Sequence, residues 1–311
     1  MKISRTYEFK VTEDYASNRV DSFLSSNIYD LSRSALTGPD CEIFINGKPS
    51  RKSDRVKEND TVMLFYNAEV FDHIEPQDLP LEVLYEDSSM LVINKAQGMV
   101  VHPGAGNING TVVNALAYRY GEKLISEMAD ECDIARPGIV HRLDKDTSGV
   151  LVIALTAKAH ENLAMQFQNR EVSKRYTALC DGVFTLPSGT VEFMMGRDSC
   201  NRKLFSRVQS GGKLSKSEYR VIRQYGSFAL TDVRIFTGRT HQIRVHMKSL
   251  SHPVIGDVLY NNRANRYPEA TLMLHSHILE IYHPVTGVKM HFEAPVPQRF
   301  EDFIKRYGES R

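Results

Sequence analysis

Residues 139–155 read Ile-Val-His-Arg-Leu-Asp-Lys-Asp-Thr-Ser-Gly-Val-Leu-Val-Ile-Ala-Leu. Two short apolar runs flank a turn that holds a base, two acids, a guanidinium and a hydroxyl pair. The runs are rich in β-branched residues and bounded by turn formers, the pattern of a buried strand. The turn therefore sits at the end of a core strand. Charge seldom crowds such a place unless the site does chemistry or binds a charged ligand.

At 311 residues the chain has room for one large domain and a small one. The first 70 or so residues read as the small one. Val20, Phe23 and Leu24 give one face of a short helix, and Leu31–Leu36 predicts a second with Ser32 as its cap. Glu42–Ile45 predicts a strand closed by the Asn46-Gly47 turn, and Thr61–Tyr66 predicts another. Residues 73–80 are polar with two prolines and suit an exposed linker. Beyond it, paired strands are expected at Leu81–Tyr85 and Met90–Asn94, and helices at Thr111–Tyr120, Lys158–Arg170 and His241–Leu250. Further strands fit Val172–Leu179, Ser217–Arg223, Phe228–Phe236, His275–Tyr282 and Val288–Glu293. Strands joined by turns, with few helices, point to an α+β fold with a mixed, largely antiparallel sheet.

Net charge is only +1, so bulk charge makes no case for nucleic acid. Its distribution says more. Between Arg197 and Arg223 lie eight Lys and Arg, including Arg202 and Lys203, against Asp198 and Glu218. That stretch either meets phosphates or is a solvated hairpin face. Cys41, Cys132, Cys180 and Cys200 lack C-x-x-C or metal spacing, and residues 1–5 lack the apolar core of a signal peptide. A cytoplasmic protein with reduced thiols and no membrane span is expected. A monomer is the default expectation.

Asp144 and Asp146 could share a metal, form an acid/base pair or supply a nucleophile. No third acidic ligand lies nearby in sequence, and Asp146-Thr147-Ser148-Gly149 is a good turn whose Asp accepts backbone hydrogen bonds. Asp146 is thus assigned to the turn and Asp144 to chemistry. Arg142, two residues earlier, shares a face with Asp144 in an extended segment; it forms an ion pair or reads a phosphate or base. A second cluster, Arg239, His241, Arg244 and His246, opens the helix at 241. His241 and His246 stand five apart and miss the spacing of helical zinc ligands, so they read as hydrogen-bonded structural residues. Thr240 or His241 near the helix start offers a local anion site. Arg244 lies at the core's edge and needs a carboxylate partner, with Asp144 a candidate. Tyr176 is either strand packing or a platform for a flat heterocycle.

His141–Gly149 resembles the signature of the RluA-type RNA pseudouridine synthases. Val101–Asn107, Gly138–Val140, Lys174–Tyr176, Gly238–His246, His252–Asp257 and Tyr282–Gly287 agree in order and spacing, from about residue 75 to the end. The Glu75–Asp78 segment and the His102 loop resemble the RluD-like branch. The resemblance implies a pseudouridine synthase domain over 81–311 that detaches uracil from its sugar and rejoins it through C5. As an isomerisation this needs neither cofactor nor metal. It implies Asp144 as the catalytic aspartate, attacking the anomeric carbon or removing a neighbouring sugar proton, and Arg244 as its ion-pair partner. It implies Tyr176 stacked on the uracil and Arg142 holding a nucleotide flipped from its stack. Ribosomal RNA of the large subunit is the implied substrate, with transfer RNA second.

Residues 12–72 resemble a small RNA-binding module first described in a ribosomal small-subunit protein, carried by Arg19–Leu24, Leu31–Ser34 and Ile45–Lys48. Residues 1–80 hold 10 Lys and Arg against 14 Asp and Glu, a net −4. RNA binding there would need a patch, drawn from Arg19, Arg33, Lys48 and the basic residues up to Lys57. Arg202, Lys203 and Arg239 are the further RNA-binding candidates. Two departures from the family pattern, Ala96 where proline is usual and Thr271-Leu272-Met273 in place of a more polar segment, fall on none of the proposed catalytic residues. A vestigial enzyme serving ribosome assembly and a metal-dependent phosphoesterase using Asp144 and Asp146 are the alternatives.

Overall fold

The computed structural model describes residues 2–28, 36, 41–69, 74–104, 107–128, 136–198, 201 and 204–308. The chain falls into two compact units that divide between Ile74 and Glu75.

The first unit contains β1 (Lys2–Lys10), α1 (Val20–Asn27), β2 (Cys41–Ile45), β3 (Lys48–Ser50) and β4 (Thr61–Glu69). The strands pair antiparallel in the order β1-β4-β2-β3. Asn46 and Gly47 both take positive φ, 51° and 74°, the geometry that makes Asn-Gly the favoured two-residue hairpin turn. From α1, Val20, Phe23 and Leu24 meet Val56, Val62 and Leu64 in a core of their own. The unit starts ten residues before the expected boundary at 12, because β1 pairs with β4 from Lys2↔Glu69 to Lys10↔Thr61. Most of the helix expected at Leu31–Leu36, including Arg33, lies outside the described residues.

The second unit begins at Glu75, inside the segment expected to be a free linker. Asn114 Nδ2 donates to Glu75 O at 2.9 Å, and Gln77 N donates to Asn114 O at 3.1 Å. Partnered backbone of this kind belongs to the domain it bonds. The elements that follow are β5 (Glu82–Glu86), β6 (Met90–Lys95), α2 (Val112–Met128), β7 (Ser148–Ala154), α3 (Ala157–Asn169), β8 (Ser173–Asp181), β9 (Ser188–Arg197), β10 (Phe205–Arg207), β11 (Lys213–Gln224), β12 (Phe228–Ile235), α4 (Gln242–Ser249), β13 (Leu274–Tyr282), β14 (Lys289–Glu293) and α5 (Gln298–Tyr307). Among the described residues they form a ten-stranded sheet, β10-β9-β11-β12-β8-β13-β7-β6-β5, with β14 beside β13. Pairing is antiparallel except between β7 and β13, so the expected mixed, largely antiparallel α+β fold is borne out.

All seven residues of β7 are buried, which makes it the core strand the sequence pattern indicated. Burying Val150, Leu151, Val152 and Ile153 contributes roughly 2 kcal/mol per side chain. Gly149 has φ +115°, and a Cβ there would lie 2.1 Å from Ser276 O. Only glycine lets β7 and β13 approach this closely at the sheet end that carries the charged turn.

Candidate active site

The charged turn precedes β7; Ile139-Val140 is not a paired strand but makes a single bridge, Ile139↔Ile153. The turn is held by its backbone. Thr147 N donates to Asp144 O at 3.1 Å, Gly98 N to Lys145 O at 2.9 Å, and Gln97 Nε2 to Asp146 O at 2.9 Å. Below it the buried Lys95 ammonium donates to Ala96 O and Met99 O at 2.8 Å each and to Lys145 O at 3.1 Å. Burial draws the Lys95 pKa down to about 7, with Asp146 and Asp144 opposing the shift. Ser148 Oγ stands 2.9 Å from His275 Nδ1 and accepts from Arg299 Nη2 at 2.7 Å. The expectation that the Asp146 carboxylate shapes the turn is corrected: among the described residues it accepts no hydrogen bond, and the chain's shape comes from carbonyls held by Lys95, Gln97 and Gly98.

This bracing leaves Asp144 facing an open cleft. Arg142, Tyr176, Arg239, His241 and Arg244 line it too, so the structure brings together six residues separated by up to 102 positions. Arg244 Nη1 donates to Asp144 Oδ2 at 3.2 Å. Its stronger partner is Asp257, a residue sequence reasoning left unassigned. Arg244 Nε and Nη2 donate to the two Asp257 oxygens at 2.7 and 2.9 Å. Asp257 also accepts from Leu259 N and Tyr260 N, and the Tyr260 ring lies 5.1 Å under the guanidinium. A bidentate carboxylate, an aromatic face and a second carboxylate fix one planar cation. Burial lowers the Arg244 pKa, but the two carboxylates outweigh it and the guanidinium stays charged.

Tyr176 lies on β8 between Val233 of β12 and Ser276 of β13, buried but with its side chain on the cleft. Burial raises its pKa to about 12; a hydrogen bond with Ser276 works against this and the Asp144 charge adds to it. It is a neutral phenol near pH 7. The register slips between Ser276 and Ile278, opposite Tyr176 and Arg175, a bulge that re-aims side chains at the cleft wall. His241, at left-handed φ 58°, places Nδ1 2.7 Å from the Tyr260 hydroxyl and Nε2 3.9 Å from Asp144 Oδ2. Its pKa is lowered by burial, with Asp144 opposing. His246 is buried with its ring nitrogens 2.9 Å from the Ser217 and Ser215 hydroxyls, the structural role expected of it.

The other expected RNA contacts differ in their surroundings. Arg142 is exposed at the cleft, Lys48 is exposed on β3, and Arg19 is engaged with Asp21 at 2.8 Å. Arg202 and Lys203, like Arg33, lie outside the described residues. The two departures from the family pattern touch none of the proposed catalytic residues but do reach the residues that brace the turn. Ala96 supplies a carbonyl to Lys95, and Thr271 Oγ1 donates to Gln97 Oε1 at 2.9 Å while Leu272 O accepts from Gln97 Nε2. Ala96 serves through its backbone, which explains why a proline is dispensable there. Among the described residues no group of three His, Cys, Asp or Glu stands where it could hold a metal, and no helix is long and apolar enough to cross a membrane.

A carboxylate clamped by a guanidinium, facing a tyrosine and unpaired arginines in an open cleft, defines an enzyme that handles a flat heterocycle on a polyanion. The chain belongs to the RNA pseudouridylate synthase family, whose model matches residues 89–249. A protein of Aquifex aeolicus named as an RNA pseudouridine synthase is 38% identical over 313 residues, covering 97% of this chain and 96% of its own. The ribosomal large subunit pseudouridine synthase D of Zymomonas mobilis is 39% identical over 313 residues, with 96% and 97% covered. The solved structure of human RNA pseudouridylate synthase domain containing 1 matches with TM-score 0.55 at 25% identity, over 75% of this chain and 97% of that one. The protein is an RNA pseudouridine synthase, an isomerase, as the signature around Asp144 led one to expect.

Proposed function

We propose that this enzyme forms pseudouridine in large-subunit ribosomal RNA in the cytoplasm, and that Asp144 is its reacting carboxylate. Relatives similar over nearly their whole length carry that substrate in their names. The observation that carries the role of Asp144 is its pairing with Arg244, itself locked by Asp257. The guanidinium fixes where the Asp144 carboxylate points, and a carboxylate so held can attack the anomeric carbon or take a sugar proton.

In the reaction the bond from uracil N1 to C1′ breaks, the base turns, and C5 bonds to C1′. The proton leaving C5 is balanced by one gained at N1. Tyr176, a neutral phenol, suits stacking on the uracil better than proton removal from C5. Arg142 at the cleft suits holding the flipped nucleotide. Lys48, Arg51 and Lys52 of the first unit offer the RNA a local positive edge.

Asp144→Asn is expected to keep the fold and RNA binding while cutting pseudouridine formation at least about a thousandfold, or roughly 4 kcal/mol of barrier. Single-turnover conversion of large-subunit RNA checks this, and a wild-type rate would remove Asp144 from its role. Pseudouridine mapping with and without the gene checks the target. Sites lost from transfer RNA alone would move the substrate assignment there.

A further inference from the structure

We propose that Lys174, Arg239 and Arg170 form a subsite for a phosphodiester of the RNA strand next to the target uridine. It rests on the reading that Asp144 and its cleft receive that uridine. Lys174 stands two residues before Tyr176 on β8, so both side chains leave the same face of the sheet. Its Nζ lies 3.8 Å from where a Cβ on Gly238 would stand and 5.5 Å from the Phe167 ring centre. Gly238 and Arg239 line the cleft of Asp144. Arg170 closes α3 at left-handed φ 63°, and its charge acts on Arg239.

Some cations near this sheet have carboxylate partners. Arg244 meets Asp144 and Asp257, Arg175 meets Asp232, and Lys216 meets Glu192. Among the described residues Lys174, Arg239 and Arg170 form no ion pair, and no carboxylate is among the charges that shift Lys174 or Arg239. Burial and the charge of Arg239 together draw the Lys174 pKa down to about 8. Three like charges held together unpaired repel one another, and a partly desolvated cation has more to gain from a ligand anion than a solvated one. The ligand must be anionic, carry several acceptor oxygens and reach the mouth of a cleft that admits a flipped base. A phosphodiester flanking that base meets all three conditions. The N-terminus of α4 begins three residues after Arg239 without a side-chain cap and adds partial positive charge at the same wall.

The test measures binding of the full chain to a short single-stranded RNA with one uridine, by fluorescence anisotropy over a series of KCl concentrations. Lys174→Gln and Arg170→Gln are each expected to weaken binding about tenfold and flatten the salt slope by about 0.7, one phosphate contact. Lys216→Gln, which removes a cation already paired with Glu192, should leave both unchanged. Arg170 is exposed at a helix end, so its variant reports even if Lys174→Gln fails to fold. Wild-type affinity and slope in Arg170→Gln and in a folded Lys174→Gln would overturn the subsite. Inorganic phosphate should displace the RNA beyond the effect of KCl at equal ionic strength in the wild type but not in Arg170→Gln, and equal displacement in both would also overturn the subsite. A wild type that binds with the full slope yet makes no pseudouridine would overturn the substrate reading and leave the phosphate subsite standing.

Discussion

Arg244 keeps its charge on a side chain only 8% exposed, and Asp257, with none of its side chain exposed, makes that possible. The pair is not exchangeable for Arg244 and Asp144 alone, because the 3.2 Å contact to Asp144 uses one nitrogen while Asp257 takes two. Asp257 thus decides where the guanidinium points, and Asp144 receives what remains. Asp257→Asn is expected to destabilise the protein by about 3 kcal/mol, the cost of stripping one partner from a buried pair. It should also lower the single-turnover rate ten- to a hundredfold, because Arg244 is free to turn wholly onto Asp144. Thermal unfolding and rapid-quench measurements check both, and an unchanged rate would make Asp257 purely structural. The sequence showed that Arg244 needed a carboxylate and named Asp144. Asp257, 13 residues further on, gave no signal, since nothing in local spacing says that the loop after α4 folds back onto it. His246 was legible for the opposite reason: its failure to match a metal spacing left hydrogen bonding, and two serine hydroxyls supply it.

Elements with a strong period were legible and those defined by partners were not. β7, α3 and the β5–β6 pair fell within a residue or two of expectation, since burial imposes their patterns. α2 continues past the expected end at Tyr120 through a kink at Gly121. β9 alternates exposed and buried residues but has polar and glycine positions, and it was not expected. α5 is the exception: Phe300, Phe303, Ile304 and Tyr307 give it a clear apolar face, and it was missed all the same. β6 shows how an element's end can serve the site. Its last residue, Lys95, is 1% exposed and sends its ammonium to three carbonyls beneath the turn of Asp144. Lys95→Met would match the stem's volume but leave those carbonyls without a donor. The expected loss is about 3 kcal/mol, with a fall in rate as Lys145 O is released. Chemical denaturation checks the first part. Unchanged stability would mean that the turn holds its shape without the ammonium.

Across the whole molecule, charge is placed rather than accumulated. The chain is net +1 and its first 80 residues are net −4, yet unpaired cations stand around the cleft. Among the described residues each unit has apolar core of its own. That of the smaller unit centres on Phe23, 1% exposed and in edge contact with Phe9 and Tyr15, and shares no residue with the core built on β6, β7 and β8. A unit of about 74 residues is expected to have roughly 4–11 kcal/mol of stability, of which one buried phenylalanine contributes about 3–5 kcal/mol. Phe23→Ala should therefore lower the melting point of the small unit by about 15 °C or more and leave the large unit's transition where it was. Calorimetry on the full chain separates the two, and a shift shared by both transitions would show that the units unfold as one. Above the small unit's new melting point but below the large unit's, the variant should form pseudouridine at the wild-type rate when RNA is saturating. Its apparent RNA affinity should fall, because only the contacts of Lys48 and its neighbours have been lost. A fall in the saturated rate would instead place the small unit's folded state within the chemistry itself.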